Sequence, residues 1–148
     1  MPQLSLHSPL GPLTVSETED AIVALDWGWG RDQSPTPLLQ RAIDILNEYF
    51  DGKAPAFDLA FRPKGTAFQQ RVWQAMCAIP YGQTRTYGEL AERAGGVARA
   101  VGMACGANPI PILIPCHRVV AQNGLGGYSG DGGVETKVAL LRLEGALL

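Results

Sequence analysis

One stretch constrains this chain more than any other: Asn108-Pro109-Ile110-Pro111-Ile112-Leu113-Ile114-Pro115-Cys116-His117-Arg118. Asn108-Pro109 ends whatever helix precedes it, and the very apolar run that follows belongs in a core. Its prolines restrict the backbone on both sides, so the run reaches Cys116 with little freedom left. A cysteine set between proline and histidine has a restrained backbone and a possible base beside it. The thiolate is the strong nucleophile, and it forms only near a histidine, a positive charge or a helix dipole. Adjacent side chains in extended structure point apart, so a turn or a water would have to join Cys116 to His117. From these two residues alone both an inert buried cysteine and a nucleophile stay open.

The rest of the chain must supply the surroundings. Its 148 residues, 46% hydrophobic and 18% charged, suit one compact domain or two small lobes sharing a core. The first residues show no basic-then-apolar leader, and no run reaches membrane-spanning length. Three cysteines, Cys77, Cys105 and Cys116, cannot all pair and have no zinc-ligand spacing. A reduced, cytoplasmic protein with no metal is the expectation. The net charge of −2 speaks against a nucleic-acid partner until its distribution is read. Residues 1–60 carry nine acidic and three basic side chains, whereas residues 61–148 carry nine basic and five acidic. Chance in two small samples is one account of this split; an acidic lobe joined to a basic one is the other.

Residues 1–30 alternate like strands: Leu4 and Leu6 share a face, a turn follows at Pro9-Leu10-Gly11-Pro12, and Leu13 and Val15 resume the pattern. Ala21 to Trp27 reads as a central strand. Thr36-Pro37 reads as N-cap and first residue of a helix with Leu39, Ala42, Ile43, Leu46 and Phe50 inward, ended by Gly52. Phe57 to Phe61 is expected to form one more strand before the boundary at Arg62-Pro63-Lys64-Gly65. Thr66 and Gln69 form a capping box before Phe68, Val72, Trp73, Met76 and Ile79, and Thr86 and Glu89 form a second before a short helix ending at Gly95-Gly96. Val97 to Gly106 is a third helix, with Val97, Ala100, Val101 and Ala104 on one side. Two short helices across a glycine turn outline a helix-turn-helix, although many helical hairpins that bind nothing share that outline. Small residues in the third helix suit either close helix packing or approach to a nucleic-acid groove.

Beyond Cys116, residues 123–133 form a glycine-rich loop that lacks the lysine of a phosphate-binding loop. It suits either an ordinary surface loop or one wrapping a flat ligand with backbone donors and the Ser129 hydroxyl. Thr136 is expected to open a final helix with Val138, Leu140, Leu141 and Leu143 apolar. Glu144 falls near its end, against the helix dipole, which fits a surface position or a partner such as His117.

These segments together resemble the O6-alkylguanine-DNA alkyltransferase family. The resemblance runs from residue 62 to 145, through Gly65-Thr66-Ala67-Phe68-Gln69-Gln70-Arg71-Val72-Trp73, Ile79-Pro80-Tyr81-Gly82, Thr86-Tyr87-Gly88-Glu89-Leu90-Ala91, Ala98-Arg99-Ala100-Val101-Gly102, the stretch Asn108 to Val119, Gly127-Tyr128-Ser129-Gly130 and Glu144-Gly145. It implies an α+β fold: a small N-terminal α/β lobe (1–61, antiparallel strands plus a helix, structural) and a helical C-terminal domain (62–148) with a winged-helix-like helix-turn-helix. It implies stoichiometric, irreversible transfer of an alkyl group from O6-alkylguanine, less readily O4-alkylthymine, in flipped-out DNA to Cys116. His117 would take the thiol proton through a water, Glu144 would orient the histidine, Asn108 would brace the turn, and Tyr87 would serve the leaving guanine. Arg99 would fill the gap left by the extruded nucleotide. Ser129, Tyr128, Gly127 and Val119 would contact the base, while Ala98, Ala100 and Gly102 would rest in the minor groove. A monomer acting on double-stranded DNA without cofactor is the implied form. Three departures stand out: no zinc site in the N-terminal lobe, a short turn at Gly95-Gly96 and a long segment from Gly130 to Lys137. A turnover hydrolase built on Cys116, His117 and Glu144, and a pure DNA-binding module, are the rival readings.

Overall fold

A computed structural model describes residues 1–147. The chain divides between Lys64 and Gly65 into two units.

The first unit is a three-stranded antiparallel sheet of β1 (Gln3–Ser8), β2 (Gly11–Thr18) and β3 (Ala21–Trp27), in the order β1-β2-β3. The register pairs Leu4 with Val15, Leu6 with Leu13 and Val15 with Leu25, which puts these alternating apolar residues on one face. Helix α1 (Pro37–Phe50) packs against the sheet, capped by the Thr36 hydroxyl, with Leu39, Ala42, Ile43, Leu46 and Tyr49 buried. The helical stripe therefore ends on Tyr49 rather than Phe50. β2 is the central strand, and Ala21–Trp27 lies at an edge instead. β2 is buried on both faces because a loop covers its polar side: Ser5 and Thr14 share a 2.8 Å hydrogen bond, and the Gly30 N–H donates to both hydroxyls. Phe57 to Phe61 does not form a strand; only a single parallel bridge, Ile22 to Phe61, is made there. The segment meets β3 through two bonds at its end, Ile22 N–H to Ala60 O and Arg62 N–H to Ile22 O, too few to make a ladder.

The second unit is built on three mutually packed helices, α2 (Ala67–Cys77), α3 (Tyr87–Ala94) and α4 (Ala98–Gly106). Both capping boxes are complete, at Thr66/Gln69 and Thr86/Glu89. Gly95 and Gly96, at φ +82° and +93°, make the turn between α3 and α4, a conformation that side chains with Cβ resist. Trp73 is the hub: it is buried, and its indole N–H donates to Ala104 O at 2.9 Å, tying α2 to α4. α4 buries Val101, Ala104 and Cys105. Val97 is its exposed N-cap and Ala100 sits half-buried, so the inward stripe is shifted from the expected one. Among the described residues of this unit, strand structure is confined to the parallel two-residue pair of β4 (Arg85–Thr86), just before α3, with β5 (Val119–Val120), and one antiparallel bridge, Ala121 to Gly124. Helix α5 (Val134–Leu143) starts two residues before Thr136, and buries Thr136, Lys137, Leu140 and Leu141. Among the described residues, no helix is long and apolar enough to cross a membrane.

Candidate active site

The proline-rich run ends in a single 3-10 turn, Cys116–Arg118, not in extended backbone. Its approach is held by Asn108, whose side-chain amide donates to Ile114 O at 2.8 Å while its carbonyl accepts from Ile110 N–H at 2.9 Å. Between these anchors Ile112 is wholly buried at φ +72°, a left-handed conformation unfavourable for a β-branched residue. The local hydrogen bonds and the packed isoleucines hold that strain in place.

The turn aims its three side chains differently. Cys116 is buried yet lines a cavity of about 410 Å³, together with Tyr87, Gly102, Cys105, Gly127, Tyr128 and Ser129. That volume lies within the ~300–1,000 Å³ range of small-molecule sites. His117 turns inward, and its Nε2–H donates to Glu144 Oε2 at 2.7 Å, both side chains being fully buried. A carboxylate only accepts, so this bond fixes the proton on Nε2 and leaves a lone pair on Nδ1. Nδ1 is buried with no hydrogen-bond partner among the described residues. Arg118 closes the group, with Nε donating to Glu144 Oε1 at 2.8 Å, Nη2 to Glu144 Oε2 at 3.0 Å and Nη1 to Ile79 O at 2.8 Å. Glu144 is therefore no surface residue. It caps α5, and the buried cation and imidazole outweigh the unfavourable helix end.

Electrostatics sort the titrating groups. Burial pushes the Cys116 thiol up, against hydrogen bonding from Asn108 and the positive charge of Lys137, so the thiol is the resting form. Burial lowers the basicity of His117, opposed by Glu144, which keeps the imidazole neutral and able to take a proton. Burial, then the Cys105 and Cys116 sulfurs, raise the Tyr87 phenol, keeping it a donor. Gly126, at φ +72°, sits so close to that phenol that a Cβ there would fall 2.7 Å from its oxygen. Only glycine allows the loop to press against Tyr87.

Three residues of this centre carry no signal in single-residue pattern reading. Arg118 looks like any residue after a histidine until Glu144 is placed beside it. Lys137 occupies an inward position of α5, where the apolar period led instead to Val138. Its ammonium donates to Val119 O at 2.7 Å, Leu125 O at 2.5 Å and Gly127 O at 3.0 Å, using all three protons. It thereby ties the glycine-rich loop to the strand that follows the Cys116 turn. Cys105, which also faces the cavity, is the third; its thiol contacts Met76 Sδ at 3.7 Å.

The other expected residues scatter more widely. Tyr87, Gly102, Gly127, Tyr128 and Ser129 line the cavity with Cys116, whereas His117, Asn108 and Glu144 are not among its lining residues. Val119 is fully buried away from the lining, its carbonyl taken by Lys137. Ala98 and Arg99 are exposed on the first turn of α4, and Ala100 borders a separate groove.

Comparison with known proteins agrees across both units. The family model for the DNA binding domain of 6-O-methylguanine DNA methyltransferase matches residues 67–146, and that for its ribonuclease-like domain matches residues 4–63. The methylated-DNA–protein-cysteine methyltransferase of Mycobacterium bovis is 45% identical over 150 residues, covering 95% of this chain and 90% of its own. The constitutive methylated-DNA–protein-cysteine methyltransferase of Bacillus subtilis is 42% identical over 152 residues, covering 93% of this chain and 92% of its own. The crystal structure of Mycobacterium tuberculosis OGT in complex with DNA matches with a TM-score of 0.85 at 42% identity, over 97% of this chain and 93% of that one. Matched in both halves and along nearly its whole length, the chain belongs to the 6-O-methylguanine DNA methyltransferase family.

Proposed function

We propose that the protein repairs alkylated DNA by direct reversal, moving the alkyl group of O6-alkylguanine, less readily O4-alkylthymine, onto Cys116. The observation that carries this reading is one cavity of about 410 Å³ holding the Cys116 thiol and the Tyr87 phenol, backed by the buried His117–Glu144–Arg118 group. An atom inside the base stack is out of reach, so the nucleotide is flipped into that cavity at a cost of a few kcal/mol. Arg99, exposed on α4, fills the gap it leaves. The small residues Ala98, Ala100 and Gly102 let α4 approach the minor groove.

In the reaction the sulfur–carbon bond forms as the carbon–oxygen bond to the base breaks. The thiol proton passes to His117 Nδ1, directly or through a water, and Glu144 stabilises the resulting imidazolium. Tyr87 supplies the proton or hydrogen bond that makes the departing guanine neutral, while Ser129 and the loop backbone meet the oxygen that loses its alkyl group. The net proton transfer is from sulfur to base, and no cofactor enters. Asn108 and Lys137 hold the two sides of the site in register. A thioether offers no easy return, so each molecule acts once. A reducing cytoplasm is the matching setting, since Cys116 serves only as a free thiol.

The test is intact-mass analysis after incubation with duplex DNA carrying O6-methylguanine. One methyl group on the peptide containing Cys116, consumed mole for mole with the lesion, is expected; Cys116→Ser remains unmodified. Unmodified protein beside unrepaired DNA overturns the reading. Repeated turnover with unmodified protein favours a hydrolase instead.

A further inference from the structure

α4 separates two recesses. On one flank Gly102 and Cys105 line the Cys116 cavity. On the other, Ala100, Met103 and Ala104 form a groove of about 210 Å³ with Thr66, Phe68 and Gln69 from the start of α2. Met103 follows Arg99 by four residues, so both project from the outward arc of the helix about 6 Å apart along its axis. It is 72% exposed, and Val97 at the N-cap is 65% exposed. Among the described residues of the second unit, the exposed large apolar side chains are these two and Val134, so α4 holds most of them. The rest of its outer face is Arg99 and small residues, where an extended thioether stands out.

Continuity with the DNA-contacting face proposed above identifies what covers Met103, and this inference rests on that reading. The minor groove is bounded by one strand on each side, so a helix resting along its mouth faces both. If the damaged nucleotide enters on the Gly102 flank, its complement runs along the Met103 flank. We propose that Met103 packs against the sugars of the undamaged strand, making α4 a divider between the two strands and Met103 a determinant of duplex preference. Methionine suits the task, being apolar, unbranched and among the side chains minor-groove proteins use as wedges. Its contact is with sugars, so it is independent of sequence and weakly dependent on salt.

The test compares Met103→Ala with the parent on three substrates: duplex DNA with O6-methylguanine, the same oligonucleotide single-stranded, and free O6-methylguanine base. Met103 is exposed, so the variant folds, as circular dichroism checks. The expected result is about a tenfold loss of rate and of affinity on duplex DNA, equivalent to ~1.4 kcal/mol, with less than a twofold change on the other two. Equal losses on duplex and single strand, no loss on duplex, or loss of self-association in sedimentation instead, each overturns the proposal. Failure of the underlying reading looks different: the parent itself then transfers nothing from any of the three.

Discussion

Glu144→Gln keeps the shape of the side chain and removes its charge. In the parent that carboxylate, wholly buried, accepts from His117 Nε2 at 2.7 Å and from Arg118 Nε at 2.8 Å. The Arg118 side chain is 6% exposed, and a guanidinium does not shed its proton, so the variant holds a buried cation without its counter-charge. Breaking a buried pair in this way costs ~3–5 kcal/mol. For a chain of this size each kcal/mol shifts the melting temperature by ~2–4 °C, so a fall of roughly 6–20 °C is expected. His117 loses the neighbour that opposes its burial, becomes a weaker base still, and takes the Cys116 proton less readily. The assay pairs thermal melting with the rate of Cys116 alkylation by iodoacetamide between pH 6 and 10, as roughly spans the thiol range. Adding Arg118→Met removes the stranded charge and should restore at least half of the lost stability, though not the reactivity. A melting temperature within 2 °C of the parent for Glu144→Gln, or no recovery in the double variant, refutes the reasoning.

Further consequences follow from other contacts. Gly126→Ala places a Cβ 2.7 Å from the Tyr87 oxygen at φ +72°, so it should lose ~1–3 kcal/mol of stability and most of the rate on alkylated base; melting and rate equal to the parent would contradict the close approach. Burial lifts the Cys105 thiol to about 12 from 9.0. Its folded pKa is thus raised, so its contribution is intact below pH 9.0 and is lost as pH rises toward 12; Cys105→Ala should flatten the fall in melting temperature between those limits, and an unchanged slope would count against it. Arg99→Ala should slow repair of duplex DNA at least tenfold while sparing free alkylguanine base, and equal losses on both would dismiss the gap-filling role.

What could be read from residue order alone was what local chemistry encodes. Thr36-Pro37, Thr66/Gln69 and Thr86/Glu89 announce helix starts because a cap is satisfied within three residues, and all three helices begin there. The inward face of α5 departs from the apolar period, because periodicity cannot foresee a lysine turned inward to three backbone carbonyls 10 to 18 residues away in sequence. The edge position of β3 and the missing strand at Phe57 to Phe61 depend on pairing, which a run of apolar residues does not specify. At the site, Cys116 and His117 are conspicuous for their chemistry. Arg118 becomes meaningful only when Glu144 folds back 26 residues to meet it.

That fold-back sets an order of assembly during synthesis. A nascent chain that already exposes Cys116, His117 and Arg118 has the nucleophile but neither the carboxylate that fixes the imidazole proton nor the ammonium that anchors the loop, because both arrive with α5. On the ribosome, then, the transfer lacks the help of His117, Glu144 and the anchored loop until α5 docks. A protein that can react only once gains from that sequence of events, since its single reaction goes unassisted until the site is complete.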